Sequence, residues 1–333
     1  MLRFVLARIL QFPLILAVIY LLTVALVWIA PGDPFQAMSE KIDQAKVEAL
    51  QQQYHTDTFF NFITHYGSRV FVGDLGPSLA QQGYTVKGII GEALPKSLAI
   101  GALAIVFATC LGAFIGTIAA VRRNGIIDYI SLGIALIGVS VPSFVVATSL
   151  LGLFAFNDTL GVMPMGGWPS RGYENLELYS GWGFGAATVD YLNHMLLPAI
   201  ALSLLPMAYI VRLTRVSMID VLSSDYVRTA RAKGLSKFSV IFKHCLRNAF
   251  LPVLSFLGPA TANVLVGSFV VEQIFDIPGL GRFFIQSVQQ RDQPMILGTV
   301  LVYSVLLLSL NLVVDILYGV IDPRISVAEE GGK

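Results

Sequence analysis

Residues 224–234 read Ser224-Asp225-Tyr226-Val227-Arg228-Thr229-Ala230-Arg231-Ala232-Lys233-Gly234, and they lie in a polar, basic connector between two long apolar runs. The connector extends from Val211 to Pro252. We predict a short helix here, because Ser224 or Asp225 can cap its start and Gly234 can supply the left-handed residue after its end. A rigid, positively charged helix outside the apolar runs suits a docking surface, although an ordinary basic loop would have the same composition.

A second short helix is predicted after Ser236, whose hydroxyl can cap it. Its apolar residues recur at helical spacing and are expected to share one face: Phe238, Ile241, Phe242, Cys245, Leu246 and Ala249. Leu251-Pro252 then leads into the next apolar run. The connector is therefore expected to be a helix–bend–helix unit.

The composition indicates a membrane protein. Of the 333 residues, 55% are hydrophobic and only 13% are charged, and the mean hydropathy is +0.72. A soluble globular domain carries about 25% charged residues, so an integral membrane protein is the class that fits. Cys110 lies in an apolar run and Cys245 in the basic connector, which argues against a disulfide or a metal site. Ile9–Ile29 is too long for the apolar core of a cleavable signal peptide.

Six apolar runs are long enough to cross a hydrocarbon core, which needs about 20 residues. They are Ile9–Ile29, Leu98–Val121, Tyr129–Phe156, Met195–Val211, Ala249–Phe275 and Met295–Val320. The fourth run is the shortest and is expected to continue as helix through Arg215. We therefore predict an all-α integral membrane protein with about six transmembrane helices.

The distribution of cations sets the predicted orientation. An even number of spans puts both termini on one side, together with the eight Lys and Arg residues from Arg212 to Arg247. On the opposite side, the connector after the third run holds only Arg171, and the one after the fifth run holds only Arg282 and Arg291. The positive-inside rule therefore places both termini and the basic connector in the cytoplasm.

The first external connector, Pro31–Lys96, is the longest. Ile42–Gln53 has helical apolar spacing with mixed charge, which is typical of an interfacial helix. A Gly-rich turn is expected around residues 71–78. Val86–Leu94 is expected to form an approach helix that ends before Pro95 and the second apolar run.

Small and polar residues interrupt several apolar runs. Gly112 and Gly116 form a small-xxx-small pair, which predicts close helix packing. Pro142 lies near the middle of the third run between Ser140 and Ser143, and either hydroxyl or cavity water can satisfy the carbonyl that the proline frees. Such a bent helix fits a solute path, and it fits simple packing equally well.

The fifth run carries Asn263, with Thr261 and Ser268 nearby, and ends at Glu272. A buried Asn in a membrane span needs a partner or water, so Asn263 is expected at a helix interface or a cavity. Two interpretations stay open for Glu272: solvation at the membrane boundary, or a structural or gating contact, for example with Arg282.

Several catalytic and metal-binding motifs are missing. The sequence has no Gly-x-x-x-x-Gly-Lys-Ser/Thr, so it has no P-loop for ATP hydrolysis. It has no His-Glu-x-x-His and no Gly-x-Ser-x-Gly. The histidines show no metal-ligand spacing: His55, His65, His194 and His244. No catalytic residue and no metal site is predicted.

Arg228-Thr229-Ala230, followed after three residues by Gly234 and later by Leu251-Pro252, resembles the EAA loop of bacterial ABC importer permeases. It departs from the usual pattern, since Arg228-Thr229 stands where Glu-Ala is typical and the gap to Leu251-Pro252 is longer. Both departures are similar to the oligopeptide/dipeptide/nickel branch. Three more segments look like that branch: Pro31-Gly32-Asp33-Pro34, Gly73-Asp74-Leu75-Gly76-Pro77-Ser78 and Glu272-x-x-Phe275-x-x-Pro278-Gly279-Leu280-Gly281.

The resemblance implies a type I ABC importer permease fold in a bacterial inner membrane. It implies that the connector helix couples to an ATP-binding subunit through Asp225, Tyr226, Arg228, Thr229, Ala230, Arg231, Ala232, Lys233, Gly234, Leu235 and Ser236. The implied partners are a second permease subunit, two ATP-binding subunits and an external solute-binding protein, with no nucleic acid. ATP and Mg²⁺ would bind in the partner subunits, and this chain would hold no cofactor.

The implied function is a non-catalytic subunit of an ATP-driven peptide importer that lines half of the translocation path. Ser140, Pro142, Ser143, Asn263 and Glu272 become candidates for the path or its gate. The implied organisation is an N-terminus and first span (1–30), an external loop (31–96), a permease core (97–320) containing the coupling loop 212–248, and a cytoplasmic tail (321–333).

Three alternatives compete with a peptide importer. An importer of nickel or another small solute shares the branch motifs. An ion-coupled carrier would place ionisable residues near mid-span and show two related halves. An intramembrane enzyme would need a Ser/His or paired-Asp constellation at bilayer depth. The sequence shows neither of the last two patterns, and both leave the basic connector without a role.

Overall fold

The computed structural model describes residues 2–30, 58–81, 83–156, 160–169 and 186–321. These ranges are largely helical and contain no strand, only one isolated bridge between Pro77 and Thr85. The helices are α1 (Leu2–Ile29), α2 (Phe59–Phe71), α3 (Val86–Val121), α4 (Ile126–Ser140), α5 (Ser143–Phe154), α6 (Ala186–Leu222), α7 (Asp225–Ala232), a π-helix (Ser239–Cys245), α8 (Leu246–Ala249), α9 (Leu251–Ile274), α10 (Leu280–Gln290) and α11 (Gln293–Ile321). The predicted all-α class is confirmed.

The described helices contain four to six candidate membrane spans. Four are long and apolar enough by themselves: Arg8–Ile29, Val86–Val121, Asp190–Leu222 and Gln293–Ile316. Two bent pairs raise the number to six if each pair is one span. One pair is α4 with α5, and the other is the π-helix and α8 with the first part of α9. The six predicted runs all fall on these elements.

The helix that contains the second apolar run begins earlier than predicted. The approach helix and the span are one continuous helix, α3, with Pro95 inside it. Proline removes only one backbone hydrogen bond, and buried apolar residues on its N-terminal side, including Val86, Ile90 and Ala93, hold that end of the helix in place. Packing therefore outweighs the local helix-breaking tendency of Pro95.

By contacts the chain forms two compact units, one of Met1–Lys96 with Pro278–Leu312 and one of Ser97–Ile277 with Val313–Lys333. In the first unit, Tyr66 of α2 stacks on Tyr20 of α1 with ring centroids 6.4 Å apart. The Tyr66 hydroxyl donates to the carbonyl of Pro294 at 3.2 Å, and burial raises the pKa of Tyr66. These contacts join α1, α2 and the start of α11.

The Gly-rich turn of the first unit is held by two carboxylates. Asp74 accepts hydrogen bonds from the Gly76 N–H at 2.9 Å and from the Arg69 guanidinium at 2.8 Å, and these hold the pKa of Asp74 below its usual range. Buried Asp292 accepts from the Ser78 hydroxyl and from the Ala80 N–H. The turn is thus hydrogen-bonded to Asp292, the residue that precedes α11.

In the second unit α6 is the central helix, and it packs against α4, α5 and α9. The predicted close packing at the glycine pair of α3 is confirmed. A Cβ atom at Gly112 would lie 2.8 Å from Cγ2 of Ile210, and one at Gly116 would lie 2.6 Å from the carbonyl oxygen of Val211. Only glycine allows α3 and α6 to approach this closely.

Gly116→Ala is expected to lower stability by about 1–3 kcal/mol, because the added methyl group must push against the backbone of α6. Gly133→Ala in α4 is the matched control, since a Cβ there meets no atom within 4 Å. Thermal unfolding of the detergent-solubilised protein measures both. Equal melting temperatures for the two variants would contradict the packing argument.

Candidate functional site

Helix α7 is anchored along one face and exposed along the other. Val227 and Ala230 are buried in a cluster with Ala120 of α3 and Met218 of α6. The remaining residues of the helix are exposed: Asp225, Tyr226, Arg228, Thr229, Arg231 and Ala232. The predicted short helix therefore presents a polar, basic surface while its apolar side contacts the ends of two candidate spans.

The start of α7 differs from its prediction in one respect. Ser224 occupies the N-cap position, but no side chain caps the helix. The Ser224 hydroxyl instead donates to the carbonyl of Val221 at 2.5 Å, back toward α6. Asp225 lies in the first turn and contacts Arg228 at 3.3 Å, with both side chains largely exposed. The serine therefore stabilises the turn between α6 and α7 and leaves the helix N–H groups uncapped by its side chain.

The end of α7 has the predicted geometry. Gly234 has φ of 76°, the left-handed conformation that glycine adopts without penalty. Its N–H donates to Arg231 at 3.0 Å, and the Leu235 N–H donates to Ala230 at 3.4 Å. This pair of bonds is a Schellman motif, which satisfies the last carbonyls of the helix. The bend between the two helices of the connector is thus a defined hydrogen-bonded turn.

The second connector helix is wound more loosely than predicted. Ser236 caps it as expected, since the Ser239 N–H reaches the Ser236 hydroxyl at 3.3 Å. Residues 239–245, however, form a π-helix, and the wider winding changes which residues share a face. The predicted common apolar face is therefore confirmed only in part. Cys245 and Ala249 are buried and Ile241 and Leu246 pack beside them. Phe238 is 71% exposed and contacts exposed Phe242, with ring centroids 4.5 Å apart, and Val240 is buried instead.

A side-chain contact braces the two helices of the connector. The Tyr226 hydroxyl accepts from the Asn248 side-chain amide at 2.9 Å. Buried Cys245 and Ala249 lie in the same apolar cluster as Val227. The connector is consequently a packed unit, as a mechanical link between a partner and the spans would require.

An ion pair that the sequence did not reveal lies close to this unit. Arg215 of α6 donates to both oxygens of Asp128 of α4, at 2.5 and 2.8 Å, and the Asn124 N–H adds a bond at 2.9 Å. Asp128 is almost fully buried. The only sequence signal was a carboxylate in the first turn of an apolar run, and nothing in the sequence identified its partner.

The break in the third run is sharper than a proline kink. Helices α4 and α5 meet at 106°, and Pro142 is the N-cap residue of α5, so it lies outside both helices. The Ser140 hydroxyl donates to the carbonyl of Leu136 at 2.8 Å. The expectation that a serine satisfies a carbonyl freed inside one continuous helix is therefore wrong, because the helix ends at Ser140.

The path candidates of α9 lie at different levels along the helix. Asn263 is exposed, so the expected burial at an interface is not found in the isolated chain. Gly267 lies one helical turn after Asn263. A Cβ at Gly267 would lie 4.0 Å from the Ser143 hydroxyl. Glu272 is 0% exposed, which excludes the interpretation that it is solvated, and it lies roughly 13 Å along the helix from Asn263.

The end of α9 is covered by the segment 160–169. The Gly167 N–H donates to the carbonyl of Phe275 at 2.7 Å, and a Cβ at Gly166 would lie only 2.4 Å from that oxygen. Phe275 is buried in the core of the second unit, with Met163 and Trp168 packed against that core. The segment therefore contacts the part of the chain that carries the Glu272-x-x-Phe275 pattern.

Gly166→Ala is expected to lower stability by about 1–3 kcal/mol more than Gly167→Ala. Both positions have positive φ, but a Cβ at Gly167 meets no atom within 4 Å, whereas one at Gly166 meets the Phe275 carbonyl. Thermal unfolding in detergent compares the two variants. An equal loss in the two variants, or a larger loss for Gly167→Ala, would contradict the argument that a side chain at position 166 collides with Phe275.

Some predictions lie outside the described residues. These are the Pro31-Gly32-Asp33-Pro34 motif, the helix Ile42–Gln53 and the tail beyond residue 321. Of the predicted coupling residues, Ala230 is buried in the cluster below α7, and the others are exposed.

Comparison with known proteins now identifies the family. Residues 112–327 match the binding-protein-dependent transport system inner membrane component family. The chain is 40% identical to the dipeptide transport system permease protein DppB of Bacillus subtilis, over 99% of this chain and 100% of that protein. It is 37% identical to the oligopeptide transport system permease protein OppB of Salmonella typhimurium and 38% identical to DppB of Escherichia coli, each over 98% of this chain and 99% of the relative. The family model matches most of the chain, and the relatives match it over nearly its whole length. The chain therefore belongs to the family of binding-protein-dependent transport system inner membrane components.

Proposed function

We propose that this chain is the permease subunit of an ATP-driven peptide importer. The observation that supports the proposal is the two-sided character of helix α7. Its basic face is exposed and can contact a partner, whereas Val227 and Ala230 pack on the ends of α3 and α6. The names of the relatives support peptides as the solute, since they are dipeptide and oligopeptide permeases. A nickel or other small-solute importer is the alternative within the same branch.

The proposed partners rest on the family, whose transport depends on a binding protein. The chain has no P-loop, so ATP and Mg²⁺ bind in two separate ATP-binding subunits and this chain is non-catalytic. A second, similar permease subunit completes the path, because one set of about six spans lines only half of it. An external solute-binding protein delivers the peptide. Both termini and the coupling loop 212–248 lie in the cytoplasm, as the distribution of cations favours.

The mechanism is alternating access driven through α7. ATP binding closes the ATP-binding subunits and moves the surface formed by residues 225–236. Because Val227 and Ala230 share a cluster with Ala120 and Met218, the movement reaches α3 and α6 directly. The Schellman turn and the bond between Tyr226 and Asn248 keep the connector from absorbing the movement. The path then opens outward to accept a peptide, and later inward to release it.

The path and gate residues have distinct proposed roles. Ser140, Pro142 and Ser143 form the break between α4 and α5, where backbone polar groups require protein or water at membrane depth. Asn263 offers an exposed amide on α9 to the path. Glu272 is buried at the outer end of α9, and its proposed role is a gate contact.

Reconstitution tests the function. Vesicles that contain this chain, the second permease subunit and both ATP-binding subunits should take up a radiolabelled dipeptide when ATP and the binding protein are supplied. Vesicles that lack the ATP-binding subunits should not. ATP-independent uptake by this chain alone, or uptake driven by an ion gradient, would overturn the proposal, and uptake of Ni²⁺ in place of peptide would favour the alternative.

A further inference from the structure

A cavity of about 500 Å³ lies behind the proposed coupling helix. Its apolar lining comes from the ends of α3 and α6 and from the second half of the connector: Val121, Leu222, Leu235, Val240 and Ile241. Each of these residues belongs to the second compact unit. The cavity therefore has an apolar floor built from several helix ends.

Two cations complete the lining. Arg231 lies near the end of α7, and Lys237 follows the Schellman turn. Asp225, the carboxylate of α7, contacts Arg228. Neither Arg231 nor Lys237 forms an ion pair with a carboxylate in the described ranges. A cavity with an apolar floor and two cations is complementary to an amphipathic anion.

The position of the cavity indicates which amphipathic anion fits. Val121 is the last residue of a candidate membrane span and also ends the second apolar run, so this side of the cavity lies where a hydrocarbon core gives way to headgroups. The adjoining start of α4 exposes Ile126 and Ile130, side chains suited to acyl chains. Arg122 and Arg123, directly after α3, are exposed as well and add to the positive charge.

We propose that this cavity binds one anionic phospholipid of the cytoplasmic leaflet. The headgroup phosphate lies against Arg231 and Lys237, and the glycerol and first methylene groups lie on Val121 and Leu222. Basic pockets between membrane helices on the cytoplasmic side are suited to such headgroups. The placement in the cytoplasmic leaflet rests on the orientation in the proposed function.

The bound lipid has a mechanical consequence. It fills the space between α7 and the ends of α3 and α6, so it adds a second contact beside the cluster of Val227 and Ala230. A filled cavity transmits a displacement of α7 better than an empty one, because packed interiors resist compression. Anionic lipid is therefore expected to raise the amount of solute carried per ATP hydrolysed.

The test uses the full complex in nanodiscs of phosphatidylcholine, with phosphatidylglycerol as the anionic probe. Native mass spectrometry measures how much phosphatidylglycerol stays bound to this chain. Arg231→Gln with Lys237→Gln is expected to weaken binding roughly 30-fold, since each cation contributes about fivefold. The matched control, Lys243→Gln with Arg247→Gln, removes the same charge from residues of the same connector that do not line the cavity, and it is expected to keep the lipid.

A second variant tests the free volume of the cavity separately from its positive charge. Val121→Trp retains every cation and lies outside the coupling helix, but its indole occupies the cavity, so it should also lose the lipid. Inorganic phosphate should not displace the lipid, because it lacks the apolar part. Displacement by phosphate would overturn the lipid assignment, and so would equal lipid retention in all of these proteins.

The competing occupant is an acidic segment of an ATP-binding subunit. If Arg231→Gln with Lys237→Gln weakens subunit association by the same factor in detergent free of phospholipid, that occupant is correct and the proposal is wrong. Peptide uptake is measured in parallel. Absent uptake in the wild-type complex contradicts the proposed function, whereas normal uptake without a bound lipid contradicts only the present inference.

Discussion

Asp128→Asn is expected to lower the stability of the protein by about 3–5 kcal/mol, the largest loss predicted for a single substitution here. The carboxylate is almost fully buried, and it accepts two bonds from Arg215 and one from the Asn124 backbone. Its loss leaves the Arg215 guanidinium, 19% exposed, without a counter-charge. Chemical or thermal unfolding of the complex in detergent measures the change.

Two comparisons make this prediction specific. Asp74→Asn removes a carboxylate from the exposed pair with Arg69, and such pairs contribute about 0–1 kcal/mol. Asp128→Leu with Arg215→Met removes both charges of the buried pair, and it should recover most of the stability lost in Asp128→Asn. If Asp128→Asn proves no worse than Asp74→Asn, the buried pair does not hold α4 against α6.

Gly234→Val is expected to uncouple ATP hydrolysis from transport, leaving ATPase activity that no longer drives uptake. Gly234 has φ of 76°, and a left-handed conformation costs a residue with a side chain about 1–2 kcal/mol, most for a β-branched one. A Cβ there meets no atom within 4 Å, so the effect is conformational. Uptake and ATP hydrolysis measured in the same vesicles give the coupling ratio.

Graded substitutions test the cause. Gly234→Asn should retain most coupling, because Asn adopts the left-handed region more readily, and Gly234→Ala should be intermediate. The three variants leave the charge of the connector unchanged. Wild-type coupling in Gly234→Val, or equal loss in all three variants, would show that the Schellman turn is not part of the transmission.

Much of the fold could be predicted because its signals are local. A membrane span needs only an apolar run of sufficient length, so all six predicted runs fall on helices of the structure. The turn at Gly234 was also predictable, since a glycine after a short polar helix is the usual residue at that position. The family motifs are contiguous, and the relatives match over nearly the whole chain.

The errors came where distant parts of the chain compete with a local preference. Pro95 predicted a helix end, but buried residues on its N-terminal side hold α3 together. Pro142 predicted a kink, yet it separates two helices at 106°. Ideal α-helical spacing assigned Phe238 to the buried face, whereas the π-helix moves Val240 there instead. Packing supplies more free energy than these local signals, so it decides the outcome.

From its residues alone, the chain was specified as a helical membrane protein with a short basic helix that ends at Gly234 in one connector, because hydrophobicity and backbone preference act within a few residues. The tertiary structure alone decided what that helix touches. It placed Val227 against Ala120 and Met218, paired Asp128 with Arg215 across 87 positions, and buried Glu272. Contacts between residues far apart in sequence depend on how whole helices pack, and no short stretch encodes that packing by itself.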